Sequence, residues 1–315
     1  MPDDSLTAAP PDSTTATATT ASRFSAFATD IKLSHTVFAL PFALLGMGLA
    51  AGWAGRAPRL GEVLLIVLCM VLARTFAMAV NRLADAGFDA LNPRTAGRAL
   101  PSGRLDRRYV VTLARLSAFG FVAATAGFFW LYGNTWPLLL SAPVLAVLAG
   151  YSYSKRVTWL CHGVLGFALA MSPLAAALAL EPRYLLAEPT AWLIAAMVLT
   201  WVAGFDVIYA LQDVGVDREL NLRSLPANWG VGPALWASRL LHLISAAMLF
   251  LAALLSEQLG VGFLVASGLA TALLLLEHAL VWRSSTNHIN LAFFTVNGII
   301  SLLLGAAGLV DVWRH

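Results

Sequence analysis

The sequence predicts an all-α, polytopic membrane protein with nine transmembrane helices. Of its 315 residues, 59% are hydrophobic and only 12% are charged, and the mean hydropathy is +0.76. These values lie well outside the range of a soluble domain. Apolar runs long enough to cross about 30 Å of hydrocarbon recur along the chain. We place them at 33–54, 61–83, 108–131, 136–153, 159–180, 190–211, 232–254, 259–282 and 289–312.

The chain is predicted to consist of a tail and one membrane domain. Residues 1–22 are rich in Thr, Ala, Ser, Pro and Asp, and they lack both the basic start and the apolar stretch of a secretory signal. This composition is typical of a disordered tail. Residues 23–315 form the membrane domain. The spacing of two acidic segments within it indicates two related four-helix halves followed by a ninth helix.

The basic residues predict the orientation of the helices. Lys and Arg favour the cytoplasmic side when they lie in short loops beside a span. They crowd the loops at one end of the predicted bundle, at Arg23, Lys32, residues 82–108, Lys155, Arg156, Arg218 and Arg223. We therefore expect the N-terminus and both acidic segments to face the cytoplasm from the inner cell membrane. With an odd number of spans, the C-terminus is expected outside.

Two short segments, residues 81–89 and 206–217, hold five of the seventeen Asp and Glu residues of the chain. Within each segment, two aspartates lie four positions apart, so on a helix they share one face and repel each other unless a cation lies between them. Ionisable groups at membrane depth are costly and usually mark a functional site. We therefore expect one magnesium ion at each segment. The predicted ligands are Asn81, Asp85 and Asp89 in the first segment and Asp213 and Asp217 in the second.

The predicted side-chain ligands are too few to complete the coordination of either magnesium ion, which implies that a phosphorylated substrate also binds. Magnesium favours one or two carboxylates together with water and phosphate oxygens. The planar fork of arginine suits phosphate, and basic residues follow the acidic segments at Arg94, Arg98, Lys155, Arg156 and Arg223. Arg74 precedes Asn81 by seven residues and is expected on the same helix face. The alternative is that these arginines form structural salt bridges with the same aspartates, and Arg82, Arg107 and Arg108 are equally consistent with topology markers.

The motifs resemble those of the UbiA-type family of intramembrane aromatic prenyltransferases. Residues 81–89 and 92–103 are similar to the family signature NxxxDxxxD followed by RTxxRPLPSG, and residues 206–217 are similar to DxxYAxxDxxxD. Residues 151–156, Tyr-Ser-Tyr-Ser-Lys-Arg, match the family segment after the fourth helix. The chain departs from the family at Arg82 and Ala99, where many members carry Asp and Pro. Within the family it most resembles a bacterial branch described as 4-hydroxybenzoate polyprenyltransferase-like, parts of which serve menaquinone synthesis through the futalosine route.

The resemblance implies a central cavity that opens toward the lipid and a magnesium-dependent transfer reaction. The implied donor is a polyprenyl diphosphate, and the acceptor is a small hydroxylated aromatic acid of the 4-hydroxybenzoate type, with dihydroxynaphthoate as the alternative. Asp206, about two turns before Asp213, is expected to polarise or deprotonate the acceptor phenol. The other residues expected to act in catalysis are Lys155, Arg156 and Tyr209. The residues expected to bind diphosphate or the acceptor carboxylate are Arg74, Arg94, Arg98, Lys155 and Arg223.

A membrane transporter is the rival function from another class. Its acids would bind protons or sodium on discontinuous helices near the membrane midplane, whereas these acids lie at helix ends beside arginines. The lone histidines His162, His242 and His278 are interpreted as core residues, and Glu277 has no assigned role. Nothing in the sequence indicates a nucleic-acid or protein partner. The identity of the acceptor, the length of the prenyl chain and the oligomeric state cannot be predicted from the sequence.

Overall fold

The structure is a computed structural model, and it describes Ser25, Phe27, Ala28, residues 38–283 and residues 295–314. The predicted tail, residues 1–22, lies outside the described residues. Helices account for nearly all of the described chain. The long helices, numbered α1 to α9 in chain order, are Leu40–Trp53, Leu60–Leu91, Arg107–Tyr132, Trp136–Val157, Cys161–Leu180, Thr190–Ala210, Val231–Leu255, Val261–Arg283 and Asn297–Val312. Shorter helices lie at Tyr184–Ala187, Val214–Glu219 and Leu225–Trp229.

The all-α membrane fold is confirmed. Within the described residues, seven helices are long and apolar enough to cross a membrane. The remaining two, α1 and α9, are apolar but shorter, and each adjoins a segment outside the described residues. The count of nine spans therefore stays a prediction, as does the division into two related halves.

Packing between neighbouring helices joins them in a ring, and the long helices α2 to α6 line a cavity. In order around the ring, α1 packs on α9, α9 on α8, α8 on α7, α7 on α6, α6 on α5 and α5 on α4, while α2 contacts both α3 and α4. The helix α1 also lies directly against α5, where Gly46 faces the backbone of Pro173 so closely that a Cβ would overlap its carbonyl oxygen. A glycine at this position is what allows the two backbones to approach.

Several helix ends are set by local sequence signals. Asp106 caps the start of α3 by accepting a hydrogen bond from the backbone N–H of Arg108 at 3.0 Å. Gly133 ends the same helix with a φ of 73°, a left-handed conformation that glycine adopts without strain. Pro137 lies in the first turn of α4, where its missing N–H costs no hydrogen bond.

The helices α2 and α6 carry the acidic segments. With 32 residues, α2 is about 48 Å long at 1.5 Å per residue. It therefore extends past the predicted end at residue 83, and Asp85 and Asp89 lie on its last turns, not after it. The chain after α6 tightens into a 3₁₀ turn at Leu211–Asp213 before the short helix Val214–Glu219 continues. Because of this change of helix type, the side chains of Asp213 and Asp217 point in different directions.

Candidate active site

Both acidic segments face one cavity of about 910 Å³. The cavity starts at the end of the bundle where α2, α4 and α6 finish and α5 begins. It extends along α2, α4 and α5 to residues near their opposite ends, Ile66, Pro137 and Ala179. Two stretches that are distant in sequence therefore converge. The predicted residues that line the cavity are Asn81, Asp85, Asp89, Asp206, Tyr209, Asp213, Asp217, Arg74, Arg94, Arg98, Lys155 and Arg156.

The first acidic segment places a row of side-chain oxygens along α2. Asn81 donates from Nδ2 to Asp85 Oδ2 at 2.8 Å. Asp85 is otherwise lightly held, because the nearest guanidinium nitrogen of Arg156 is 3.8 Å away and the side chain of Asp85 is 31% exposed. Asp89 is held firmly, since Arg98 donates from Nη1 to both of its carboxylate oxygens at 2.8 Å. Asp85 is thus the carboxylate of this segment with the most freedom to bind a ligand.

The turn after α2 directs Arg94 across the cavity. Asn92 ends the helix, and its Oδ1 accepts a hydrogen bond from the backbone N–H of Arg94 at 3.0 Å, an Asx turn ahead of the basic loop. The guanidinium of Arg94 then reaches the second acidic segment, where Nε donates to Asp213 Oδ1 at 3.0 Å and Nη2 to Oδ2 at 2.5 Å. Asn92 also donates to Asp213 Oδ1 at 3.0 Å. The two segments are therefore joined by direct side-chain contacts.

Arg94 keeps its charge in this setting. Burial opposes the charge, but the hydrogen bonds that Arg94 donates to Asp213 and the negative charge of that carboxylate outweigh the burial and raise the pKa of Arg94 above its usual value. The guanidinium also lies over the ring of Tyr209, 5.2 Å from its centroid, and donates to the Tyr209 hydroxyl at 2.8 Å. Tyr209 therefore helps to position Arg94.

Asp217 is held by a second cation. Lys155 Nζ lies 2.7 Å from Asp217 Oδ1, and the fully buried Ser224 donates to Oδ2 at 2.7 Å. The loops that carry these residues are joined by their backbones, because the N–H of Arg223 donates to the carbonyl of Lys155 at 2.6 Å. The guanidinium of Arg223 donates to the Val157 carbonyl at 2.7 Å. Arg223 is exposed and does not line the cavity, so its position does not support the predicted diphosphate contact.

Deeper in the cavity, two polar residues lie apart from the ion pairs. Asp206 accepts a hydrogen bond from His162, whose Nδ1 is 2.7 Å from Asp206 Oδ2. Arg74 lines the cavity on α2, and its Nε finds no hydrogen-bond partner among the described residues. Beyond them the walls are mainly apolar. Residues that form these walls include Ile66, Met70, Phe121, Phe128, Leu165, Leu169, Val202 and Phe205.

The donor atoms suit a hard divalent cation that shares its coordination with a ligand. Within the described part of the chain, no group of three or more His, Cys, Asp or Glu side chains is close enough together to hold a metal ion. Each acidic segment nonetheless offers oxygen donors only, and Asp85 has lone pairs facing the cavity. Magnesium commonly takes one or two carboxylates and completes its coordination with water and phosphate oxygens. The residues therefore fit magnesium that is bound together with a phosphorylated substrate.

The interpretation of His162 as a core residue agrees with its burial, but the sequence did not indicate that its ring contacts Asp206 at the cavity wall. The available signal was its position at the start of a helix, seven residues after Lys155, which is itself predicted to act at the site. The salt bridges that the sequence left open as an alternative are present for Asp89, Asp213 and Asp217.

The fold and the site together define a polytopic membrane protein in which acidic and basic side chains share one cavity with an apolar chamber. The sequence matches the model of the UbiA prenyltransferase family over residues 39–299, and the chain belongs to this family. It is a prenyltransferase. One relative, the 4-hydroxybenzoate octaprenyltransferase of Chromohalobacter salexigens, is 28% identical over 261 residues, which cover 81% of this chain and 82% of the relative.

Solved structures show the same fold. The apo structure of a UbiA homologue from Aeropyrum pernix K1 is 33% identical and superposes with a TM-score of 0.78 over 88% of this chain and 98% of the homologue. A UbiA homologue from Archaeoglobus fulgidus, solved with DMAPP and Mg²⁺, has a TM-score of 0.67 and covers 92% of this chain and 99% of its own. At 19% identity, the second likeness shows the fold alone.

Proposed function

We propose that this protein transfers a polyprenyl group from an allylic polyprenyl diphosphate to a hydroxylated aromatic acid of the 4-hydroxybenzoate type, in quinone biosynthesis. The observation that carries the proposal is the single cavity in which two acidic segments and four cationic side chains, Arg94, Arg98, Lys155 and Arg156, meet an apolar chamber. The relative named 4-hydroxybenzoate octaprenyltransferase supports this acceptor class. The proposed orientation is the one predicted from the basic loops, with the acidic segments and N-terminus at the cytoplasmic face of the inner membrane and the C-terminus outside.

The charged end of the cavity is suited to bind the diphosphate. Arg94, Arg98 and Lys155 are each paired with an aspartate. An arriving diphosphate offers these cations oxygens of higher charge, and arginine binds phosphate oxygens through two parallel hydrogen bonds. Arg156 adds a fourth cation near Asp85. The aspartates released in this exchange then become available as metal ligands.

Magnesium is the cofactor that these residues would hold, with two ions expected. The proposed ligands are Asn81, Asp85 and Asp89 on α2 and Asp213 and Asp217 after α6. The Archaeoglobus fulgidus homologue was solved with Mg²⁺ and a prenyl diphosphate, which supports the assignment. When bound, magnesium would supply Lewis-acid charge neutralisation for the departing diphosphate.

The apolar end of the cavity is suited to the prenyl chain and to the reactive carbon. Its walls on α2, α3 and α5 carry Ile66, Phe128 and Leu165. Water would capture an allylic cation before the aromatic ring could, and apolar walls exclude it. The cavity thus separates a charged region for the leaving group from a dry region for bond formation.

The proposed reaction replaces one hydrogen of the aromatic ring with the prenyl group. The allylic C–O bond breaks and its electron pair stays with diphosphate, while a ring carbon ortho to the phenol forms a bond to the allylic carbon. Asp206 takes the phenolic proton as the ring attacks. The ring carbon then loses its own hydrogen as a proton to the departing diphosphate, and Asp206 returns the phenolic proton to the oxygen. The net products are the prenylated acid, diphosphate and one proton.

The second candidate acceptor is a dihydroxynaphthoate, which would place the enzyme in menaquinone synthesis. It carries the same phenol and carboxylate groups, so the same residues would bind it. Arg74, which lines the deep part of the cavity with an unpartnered Nε, is suited to the carboxylate of either acid. A transporter is less consistent with the site, because three of the five clustered aspartates are ion-paired at the end of the bundle and not at its middle.

The test is diphosphate release by the purified protein in lipid nanodiscs, with a polyprenyl diphosphate, Mg²⁺ and a panel of aromatic acids. We expect release that requires both Mg²⁺ and an aromatic acid, and its loss in the Asp85→Ala and Asp213→Ala variants. Glu257→Ala is the matched control, since Glu257 is exposed in the loop after α7, at the end of this helix away from the acidic segments. Turnover that persists in both aspartate variants, or release with no need for an acceptor, would contradict the proposal.

A further inference from the structure

His162 contacts the acid that is proposed to receive the phenolic proton. It lies in the first turn of α5, and its side chain is only 5% exposed, whereas that of Asp206 is 23% exposed and lines the cavity. The Nδ1 atom of His162 is 2.7 Å from Asp206 Oδ2. One carboxylate oxygen of Asp206 is therefore engaged by the imidazole, and the other accepts no hydrogen bond from the described residues and can meet a ligand in the cavity.

The second ring nitrogen of His162 fixes where the hydrogens lie. The backbone N–H of Leu225 donates to His162 Nε2 at 3.3 Å. Because two hydrogens cannot point at each other, Nε2 carries a lone pair, and the single ring hydrogen is on Nδ1. His162 is thus a neutral donor toward Asp206 and an acceptor toward Leu225.

The same imidazole links the two ends of the site. Leu225 directly follows Ser224, whose hydroxyl donates to Asp217 at 2.7 Å. A rigid ring therefore spans from Asp206, at the proposed acceptor position, to the segment that holds Asp217 at the charged end. Such a contact holds a carboxylate in one rotamer, as the outer hydrogen-bond partners of metal ligands and catalytic histidines do.

We propose that His162 is a positioning residue that orients Asp206 toward the phenol of the acceptor. The inference rests on the proposed function, because it deepens the role given there to Asp206. The Nδ1 hydrogen stabilises the negative charge of Asp206 before proton transfer. His162 keeps that hydrogen throughout, while the free oxygen of Asp206 takes the phenolic proton and later returns it. The ring proton leaves with diphosphate, so His162 itself gains and loses no proton.

The first test compares two substitutions of His162. In His162→Gln, the amide can donate to Asp206 and accept from Leu225, whereas His162→Leu can do neither. We expect kcat of His162→Leu to fall by roughly tenfold to a hundredfold and that of His162→Gln to stay within about threefold of wild type. The KM for the prenyl diphosphate is expected to change in neither variant. His278→Leu is a matched control, since His278 is a membrane histidine outside the cavity.

The second test asks whether His162 acts through Asp206. If it does, the double variant His162→Leu/Asp206→Asn loses no more activity than Asp206→Asn alone. Losses that multiply, equal losses in His162→Gln and His162→Leu, or an effect confined to donor KM would each overturn the inference.

The third test needs no turnover. In protein with ¹⁵N-labelled histidine, NMR should show one imidazole, absent in His162→Gln, with its hydrogen on Nδ1 and a resonance that moves in Asp206→Asn. The chain has six histidines, so the His162→Gln difference spectrum identifies the signal. A hydrogen on Nε2, or no response to Asp206→Asn, overturns the positioning contact. Absence of product from every acceptor, with this signature intact, instead overturns the proposed reaction and leaves the contact confirmed.

Discussion

Arg94 and Asp213 are 119 positions apart in the chain, and they meet through two hydrogen bonds, Nε to Oδ1 at 3.0 Å and Nη2 to Oδ2 at 2.5 Å. This contact connects the loop after α2 to the turn after α6. It also fixes a guanidinium beside Tyr209, within the cavity that is proposed to bind the diphosphate. The geometry requires the planar fork of arginine, which lysine does not have.

Arg94→Lys should therefore impair the reaction with the prenyl diphosphate donor, although the positive charge is retained. We expect kcat/KM for the prenyl diphosphate to fall by roughly tenfold or more, since one of two parallel hydrogen bonds is lost. Asp213→Asn should cost more, on the order of a hundredfold in kcat, comparable to the loss of one transition-state stabilising group. Steady-state kinetics at saturating Mg²⁺ measure both, with Glu257→Gln as the control. Equal activity of Arg94→Lys and wild type would show that the fork is not used.

Lys155→Met should destabilise the protein as well as inactivate it. Asp217 is 2% exposed, so the loss of Lys155 leaves a buried carboxylate with Ser224 as its remaining described partner. We expect a cost of about 1–3 kcal/mol in the free energy of unfolding. The double variant Lys155→Met/Asp217→Asn should regain stability, because no uncompensated charge is left, but it should not regain activity. Thermal unfolding in detergent and diphosphate release separate the two effects.

Removal of magnesium should abolish turnover and leave stability nearly unchanged. Chelation by EDTA takes away the ion that the donor needs, while Arg94, Arg98 and Lys155 still neutralise Asp213, Asp89 and Asp217. Activity should return on addition of Mg²⁺. A large fall in the melting temperature with EDTA would instead indicate a structural metal.

Gly46→Ala should disrupt the contact between α1 and α5. Its Cβ would overlap the backbone carbonyl of Pro173, an atom that cannot move aside as a flexible side chain could. We expect a loss of about 1–3 kcal/mol or more in stability. Gly150→Ala is the matched control, because no described atom lies within 4 Å of its Cβ position. A melting temperature that is equal in both variants would contradict the close approach.

A buried polar chain outside the cavity should matter for stability but not for catalysis. Trp201 donates to Asn297 Oδ1 at 2.8 Å, and Asn297 donates to Glu277 at 3.0 Å, with Glu277 and Asn297 fully buried. Asn297→Leu leaves Trp201 and Glu277 without these partners, at about 1–3 kcal/mol for each group. Activity per folded molecule should be unchanged. The exposed Asn228 provides the control variant Asn228→Leu.

Hydropathy was sufficient for the fold class. The central cavity was implied only by the family resemblance, and helix packing is what brings both acidic segments to it. The predicted end of α2 was wrong, because hydropathy falls at Asn81 although the helix continues to Leu91. Arg223 was predicted to contact the diphosphate because it follows the second acidic segment. Its side chain instead donates to the backbone carbonyl of Val157. The contact of His162 with Asp206 was missed because the two residues are 44 positions apart and only tertiary packing brings them together.

The ion pairs of Arg94, Arg98 and Lys155 bear on which isoprenoids the proposed site would accept. A prenyl alcohol or hydrocarbon carries no charge to offer these cations, so the pairs would stay intact in its presence. A diphosphate that arrives with magnesium would take over the cations while the metal takes over the aspartates, so no charge within the membrane is left without a counterion. The pairs would therefore favour isoprenoids by their head group and not by their apolar chain.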